Sequence, residues 1–209
     1  MGITRLYLVR HGESEGNKRL IFLGHTDLDI TERGHLQAAC TAKYLKGIHA
    51  DAIYSSDLIR AYNTAKHTAE LKGMPITKEQ GLREIYAGLW ENKLYEALRS
   101  EFKEDRDVWV QNIGLSRCTG GESFAELRDR ILSTLKRIAD SHGDETVFCF
   151  SHAAAIRAVT GAILGLPLEE AKNVPWSENA SVTEIEYENG SFRLVRYGFD
   201  EHLRAAGLL

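Results

Sequence analysis

The stretch TRLYLVRHGESEGN, residues 4–17, decides the fold, because a short apolar run at residues 6–9 ends abruptly in Arg10, His11 and Gly12. A continuous apolar run of this length is typical of a strand buried on both faces, as in a parallel sheet. The pattern therefore predicts a strand that delivers an arginine and a histidine side by side at its carboxyl end. The glycine that follows would let a ligand approach the backbone closely.

Strand and helix patterns alternate along the rest of the chain. The predicted strands are Ile3–Val9, Ala50–Tyr54, Thr146–Phe150 and a terminal hairpin of Val182–Tyr187 and Phe192–Tyr197. The predicted helices cover residues 31–46 and 153–164, with one that follows residues 55–57 and runs to about residue 71 and one more from residue 123. This alternation predicts an α/β protein, a three-layer α/β/α sandwich around a largely parallel central sheet. We expect a single domain over residues 1–209, in which residues 86–119 could form a partly helical lid.

Capping residues define the predicted helix ends. Thr31 is an N-cap residue, and Gly47 ends the helix that it opens. Residues 55–57, Ser-Ser-Asp, supply cap residues for the next helix. Ser123 and Glu126 have the spacing of a capping box.

Composition excludes several classes of protein. The 209 residues carry a net charge of −4, with 43% apolar and 27% charged residues, so no strongly basic field favours nucleic acid. No apolar run approaches the length of a membrane span, and the N-terminus lacks the apolar stretch of a signal peptide. The cysteines Cys40, Cys118 and Cys149 are scattered and odd in number, which predicts reduced thiols in a cytoplasmic protein.

Three predicted strands end in residues that suit one site. Arg10 and His11 end the first strand, Arg60 lies in the first helical turn after the second, and Ser151 and His152 end the Thr146–Phe150 strand. Open α/β sheets bind ligands at the carboxyl ends of their strands. If these strands are neighbours, two arginines and two histidines converge there.

The chemistry of this set favours a phosphate group. An arginine fork matches phosphate oxygens, helix N-termini attract anions, and a histidine can act as a nucleophile or a base. No P-loop sequence is present, and the mixed residues 25–29 lack partner ligands, so we expect neither a metal ion nor a cofactor. Taken singly, a histidine after a strand is more often a structural residue than a catalytic one. The structural interpretation is also favoured for His25.

Four segments together resemble the motifs of the histidine phosphatase superfamily, which comprises cofactor-dependent phosphoglycerate mutases and related phosphatases. They are LVRHGESEGN (residues 8–17), SDLIRAYNTA (56–65), LREIYAGLWE (82–91) and SHAAAIRAV (151–159); residues 27–38 and GGESFAELRDRI (120–131) match lesser segments. The resemblance spans about Leu6 to Tyr187. It implies a phosphoglycerate mutase-like fold.

The resemblance implies a role for each matching residue. His11 would be the nucleophile that accepts the phosphoryl group, and Glu84 would donate a proton to the leaving oxygen. The remaining residues would hold the phosphate: Arg10, Arg60, His152, Asn17, Ser14 and the backbone of Ala153.

Two features qualify these roles. The family usually has Gly-Gly where this chain has Ala153 and Ala154, so two methyl groups would crowd the phosphate. On residue type alone, Glu84 would be an ordinary ion-pair partner of Arg83 or Lys93.

Three functions are compatible with the sequence. The favoured one is a metal-independent phosphomonoesterase that acts on a small phosphorylated metabolite through a phosphohistidine. The second is a phosphoglycerate mutase, although mutases characteristically carry a longer insertion than residues 86–119. The third is a non-enzymatic module that binds a phosphorylated ligand. The partner expected is a small phosphate ester, with neither nucleic acid nor membrane, and the terminal hairpin could pair two copies as a homodimer.

Overall fold

The computed structural model describes residues 2–209. Its strands are β1 (Thr4–Arg10), β2 (Ile21–Phe22), β3 (Ala52–Ser55), β4 (Thr77–Lys78), β5 (Lys93–Leu94), β6 (Thr146–Ser151), β7 (Val182–Glu188) and β8 (Ser191–Phe199). Its helices are α1 (Glu15–Lys18), α2 (Glu32–Lys46), α3 (Ile59–Lys72), α4 (Tyr95–Glu101), α5 (Lys103–Gln111), α6 (Phe124–Asp140), α7 (Ala153–Ile163) and α8 (Glu201–Ala205). The predicted alternation of strands and helices is confirmed.

Six strands form the central sheet in the order β4-β3-β6-β1-β7-β8. The first four run parallel, whereas β7 lies antiparallel to β1 and β8 antiparallel to β7. The predicted fold class, a largely parallel sheet in an α/β protein, is confirmed. β2 and β5 form a separate two-stranded sheet.

Alternate residues of β1 face opposite layers. Leu6 and Leu8 join the apolar cluster that contains the buried faces of α6 and α7. Tyr7 and Val9 join a second cluster that contains residues of α2 and α3. Helices therefore cover both faces of the sheet, which is why residues 6–9 are apolar without interruption.

Most predicted helix ends are confirmed. The Thr31 hydroxyl caps α2 by accepting a hydrogen bond from the Gly34 N–H at 3.0 Å. Ser123 and Glu126 form the predicted capping box at the start of α6. Each cap satisfies backbone N–H groups that have no partner within the helix.

The predicted cap of α3 is wrong, because the helix begins at Ile59 and its N-cap residue is Leu58. The Ile59 N–H donates instead to the carboxylate of Asp27. Ser56 and Asp57 have other partners. Ser56 contacts His152, and Asp57 forms a bidentate ion pair with Arg83. The side chains that were expected to cap α3 are therefore engaged by residues that are distant in the sequence.

The segment of residues 86–119 is partly helical, as predicted. It contains β5, α4, α5 and 3₁₀ turns at Gly88–Trp90 and Ile113–Leu115. Trp90 is fully buried within it. The role of this segment as a lid stays a prediction, as does the single-domain assignment.

Candidate active site

The carboxyl ends of β1, β3 and β6 lie side by side. Arg10 is paired with Ser151 in the parallel register of β1 and β6, and Ser55 is paired with Phe150. The His11 N–H donates to the Ser151 carbonyl at 3.0 Å. Because the strands are neighbours, the residues that follow them meet at one edge of the sheet.

A cavity of about 370 Å³ opens at this edge. Its lining combines charged and titratable residues with apolar and aromatic ones. The lining residues are Arg10, His11, Ser14, Asn17, Ile21, Phe22, Leu23, Gly24, Arg60, Glu84, Ile85, Tyr95, Trp109, Ala153, Ala154 and Trp176.

His11 is held as a neutral imidazole with a defined tautomer. It is only 4% exposed, and its Nδ1 donates to the Gly12 carbonyl at 2.7 Å. Since a carbonyl can only accept, the ring proton is on Nδ1. Nε2 makes no hydrogen bond to any described residue, so its lone pair is available. Burial, together with the nearby charges of Arg60 and Arg10, holds the pKa of His11 well below its usual value.

Two arginines surround this histidine with positive charge. Arg60 is 1% exposed and donates to the carbonyls of Thr26 at 2.9 Å and Gly24 at 2.7 Å. Arg10 donates to the Ser177 carbonyl, and its buried Nε has no partner among the described residues. Burial lowers the pKa of Arg60 to about 10, which leaves it cationic at neutral pH. Neither arginine has an ion-pair partner within residues 2–209, so an anion would supply the missing charge.

His152 lies directly beside His11. The ring centroids are 5.2 Å apart, and His152 is fully buried. Its Nε2 contacts the Ser56 hydroxyl at 2.8 Å, whereas its buried Nδ1 has no partner among the described residues. Burial and the charge of Arg60 lower the pKa of His152 well below its usual value. If Ser56 donates to Nε2, the ring proton is on Nδ1. His152 is not among the residues that line the cavity, so its contact with phosphate stays a prediction.

Glu84 lies at the N-terminus of α7. Its carboxylate accepts hydrogen bonds from the backbone N–H groups of Ile85 at 3.0 Å, Ala154 at 3.2 Å and Ala155 at 3.3 Å. The ordinary alternative, an ion pair with a neighbour, is wrong. Arg83 pairs with Asp57, and Lys93 pairs with Glu101. Glu84 therefore faces the cavity from the start of α7.

The two alanines that replace the family's usual Gly-Gly form part of the cavity wall. Ala153 and Ala154 both line the cavity. The Ala154 N–H is used by Glu84, whereas the Ala153 N–H has no hydrogen-bond partner in the described part of the chain. Of the first N–H groups of α7, the one at Ala153 is thus open to an anion.

Ser14 and Asn17 form a closed local unit at the start of α1. The Ser14 hydroxyl donates to Asn17 Oδ1 at 3.0 Å and accepts from the Asn17 N–H at 3.2 Å. Asn17 Oδ1 also accepts from Asn179 Nδ2 at 3.3 Å. Asn17 lines the cavity, and its amide N–H groups have no hydrogen-bond partner among the described residues, while the single hydroxyl proton of Ser14 is used in the cap. Phosphate binding by Ser14 stays a prediction.

The expected role of Gly12 is wrong. A Cβ atom at this position would lie 2.5 Å from the Gly34 carbonyl oxygen, in the first turn of α2. Gly12 does not line the cavity. The glycine is there because two backbones approach each other, and not because a ligand needs room.

Several residues of the site have no local signal in the sequence. Glu91 accepts hydrogen bonds from the backbone N–H groups of His25 and Thr26, and thereby holds the loop that Arg60 also binds. His25, expected to be an ordinary structural residue, contacts the Glu84 carbonyl through Nε2 at 2.9 Å. Trp176 also lines the cavity, although it lies far along the sequence from most of the other lining residues. Only tertiary contacts bring these residues to the site.

Comparison with known proteins gives a consistent result. The family model described as the histidine phosphatase superfamily (branch 1) matches residues 6–200. Phosphoserine phosphatase 1 of Hydrogenobacter thermophilus is 35% identical over 96% of this chain and 95% of its own length. The Photorhabdus laumondii protein named "Probable phosphoglycerate mutase GpmB" is 32% identical over 90% of this chain and 86% of its own. The structure of Bacillus stearothermophilus YhfR superposes with a TM-score of 0.92 at 32% identity, covering 96% of this chain and 99% of YhfR.

Proposed function

We propose that this chain, which belongs to branch 1 of the histidine phosphatase superfamily, uses His11 to hydrolyse the phosphate ester of a small metabolite. The chain is a phosphomonoester hydrolase that acts through a phosphohistidine. The observation that carries the residue assignment is the state of His11. It is a neutral imidazole with Nε2 unoccupied, and two guanidinium groups without acidic partners stand beside it.

The proposed first step forms a bond between His11 Nε2 and phosphorus and breaks the bond between phosphorus and the ester oxygen. Glu84 donates its proton to that oxygen, so the alcohol leaves neutral.

In the second step, water attacks the phosphohistidine. Glu84, now ionised, takes a proton from this water, and the bond between phosphorus and Nε2 breaks. Inorganic phosphate leaves, while His11 returns to its neutral form and Glu84 to its protonated form. One acid–base group thus serves both steps.

The spread negative charge of the phosphoryl group is stabilised by groups that are already in place. Arg10 and Arg60 supply two positive charges, and three neutral donors complete the set: His152 Nδ1, the Asn17 amide and the Ala153 N–H. Phosphoryl transfer depends mostly on such positioning and electrostatic stabilisation. We therefore propose that no metal ion or cofactor is required.

A cavity of about 370 Å³ supports a small ester as the substrate. Phosphoserine is the first candidate, since a relative of this chain is named a phosphoserine phosphatase.

We further propose a cytoplasmic protein that does not use nucleic acid. Its cysteines are unpaired, and no helix within residues 2–209 is long and apolar enough to cross a membrane. β8 is an edge of the sheet through which two copies could pair.

Phosphoglycerate mutase activity is the second candidate, because other relatives are named as probable mutases. A mutase returns the phosphoryl group to a substrate hydroxyl, whereas a phosphatase releases it to water. Incubation with labelled phosphoglycerate separates the two, because a mutase moves the label between hydroxyl groups and a phosphatase yields free phosphate.

The deciding experiment measures phosphate release from p-nitrophenyl phosphate and O-phosphoserine in EDTA, with the wild type, H11A and the control H49A. His49 is exposed on the surface. We expect full activity for the wild type and H49A and none for H11A. Acid-labile phosphate should be trapped on the wild type and on H49A, but not on H11A. Wild-type activity that EDTA abolishes, or that H11A retains, would contradict the proposal.

A further inference from the structure

The segment that carries Glu84 lacks regular structure. Residues 83–87 belong to no helix or strand, although they follow the short turn Gln80–Leu82. A proton donor on such a segment needs another element to fix its position, because loops are more mobile than helices and strands.

Arg130, on α6, supplies that support. Its Nη1 donates to the carbonyls of Gly81 at 2.9 Å and Arg83 at 3.0 Å, and its Nη2 donates to the carbonyl of Glu84 at 3.0 Å. One guanidinium therefore contacts three backbone carbonyls within four consecutive residues, the last of them at Glu84 itself.

Glu122 holds this guanidinium in place. Its carboxylate accepts from Arg130 Nε at 2.9 Å and from Nη2 at 2.8 Å. The same carboxylate accepts from the Tyr86 N–H at 3.1 Å, and the Glu122 N–H donates to the Tyr86 carbonyl at 2.8 Å. Arg130 and Glu122 thus hydrogen-bond to the backbone on both sides of Glu84.

The contacts are suited to fixing geometry without changing the charge of the cavity. The side chains of Arg130 and Glu122 are only 26% and 13% exposed and cancel each other's charge. Neither lines the cavity. A bidentate arginine–carboxylate pair is directional, and a lysine cannot reproduce its planar fork.

We propose that Arg130, oriented by Glu122, is the positioning residue that sets the Glu84 carboxyl against the leaving oxygen. This inference rests on the proposed role of Glu84 as proton donor. It predicts that loss of Arg130 harms the chemistry of the acid more than the remainder of the reaction.

The test compares kcat/KM for O-phosphoserine, whose alkoxide leaves poorly, with that for p-nitrophenyl phosphate, whose phenolate leaves without much help. This ratio covers only the steps up to departure of the alcohol. Misplacement by about 1 Å can cost about 10²-fold, so R130Q should lose roughly 10- to 100-fold on phosphoserine and under about threefold on the aryl ester. R130K should recover part of this selective loss.

A double-mutant cycle with E84Q links the effect to the acid. Where Glu84 has already been replaced, adding R130Q should cause no further selective loss on phosphoserine. If the selective losses of R130Q and E84Q on phosphoserine multiply in the double variant, the proposal is overturned. E84Q alone tests the proposed function, so a failure of the acid assignment is read separately from a failure of the positioning role.

The controls separate positioning from folding. R128Q removes an arginine from the same helix, where it pairs with the exposed Asp129, and should leave both activities unchanged. E122Q offers a second route should R130Q fold poorly, and it should show the same selectivity. Equal losses on the two esters in R130Q and E122Q, with a lowered unfolding midpoint, would show a merely structural role and overturn the proposal.

Discussion

At the scale of single residues, burial decides the protonation of the two histidines. His11 and His152 lie beside Arg60 and are almost excluded from water, so burial and the cation both lower their pKa values. A neutral His11 keeps its lone pair even in mildly acidic solution. Activity should therefore persist below the pH at which a free histidine becomes protonated.

The role of Glu84 can be tested by its dependence on the leaving group. A positioned acid typically contributes about 10²–10⁴-fold, so E84Q should lose a factor in that range in kcat/KM on O-phosphoserine. The loss on p-nitrophenyl phosphate should be much smaller, because its phenolate needs little protonation. Steady-state kinetics on the two esters measure this difference, and equal losses would remove Glu84 from the acid role.

At the scale of elements, strand ends and helix starts build the site together. β1 and β6 deliver His11 and His152, and α7 begins immediately after the second histidine. The N-terminus of α7 serves two groups, because its second and third N–H groups bind Glu84 and its first remains open. One helix thus places the proposed acid beside the proposed phosphate position.

The close approach of β1 and α2 predicts a stability effect at Gly12. G12A would force a methyl group against the Gly34 carbonyl, and overpacking of this kind costs about 1–3 kcal/mol in the free energy of unfolding. G47A is the matched control, because its Cβ would lie 4.0 Å from its nearest neighbour and its backbone is helical. Denaturant unfolding should show a lower midpoint for G12A alone. A stable G12A with only a raised KM would instead restore the ligand-room interpretation.

At the scale of the whole molecule, a mildly acidic protein maintains a local positive field. The net charge is −4, yet Arg10 and Arg60 lack acidic ion-pair partners within the described residues. The cavity lining holds these two arginines and one carboxylate, that of Glu84, so its local charge is positive. An anionic ester is attracted to such a cleft in spite of the sign of the whole protein.

Buried histidines also predict how stability depends on pH. The folded protein holds the pKa values of His11 and His152 below that of a free histidine, so below about pH 6.5 the unfolded chain binds protons that the folded chain does not. This contribution is complete above about pH 6.5 and is lost as the pH falls. The unfolding free energy should therefore decrease between pH 6.5 and 5.

Denaturant titrations across this range measure the slope. H152Q should reduce the slope of the unfolding free energy against pH by the contribution of about one proton. The folded and unfolded states then differ in the protonation of one histidine fewer. H49Q, at an exposed position, should leave the slope unchanged. A stability that stays constant or rises as the pH falls to 5 would contradict the assignment of neutral buried histidines.

The sequence by itself determined the fold class and the residues that meet at the sheet edge. A short uninterrupted apolar run is typical of a strand covered on both faces, and the carboxyl ends of neighbouring parallel strands lie together, so the meeting of Arg10, His11 and His152 was predictable. The helix caps at Thr31 and Ser123 were predictable as well, because they depend on residues three positions apart.

Tertiary structure alone decided how the site is held. Ser56 and Asp57 do not cap α3 but contact His152 and Arg83. Gly12 packs against α2 and not against a ligand. Arg130 reaches Glu84 across 46 positions of the chain. Such contacts depend on how elements are packed against each other, and the spacing of residues along one element carries no information about them.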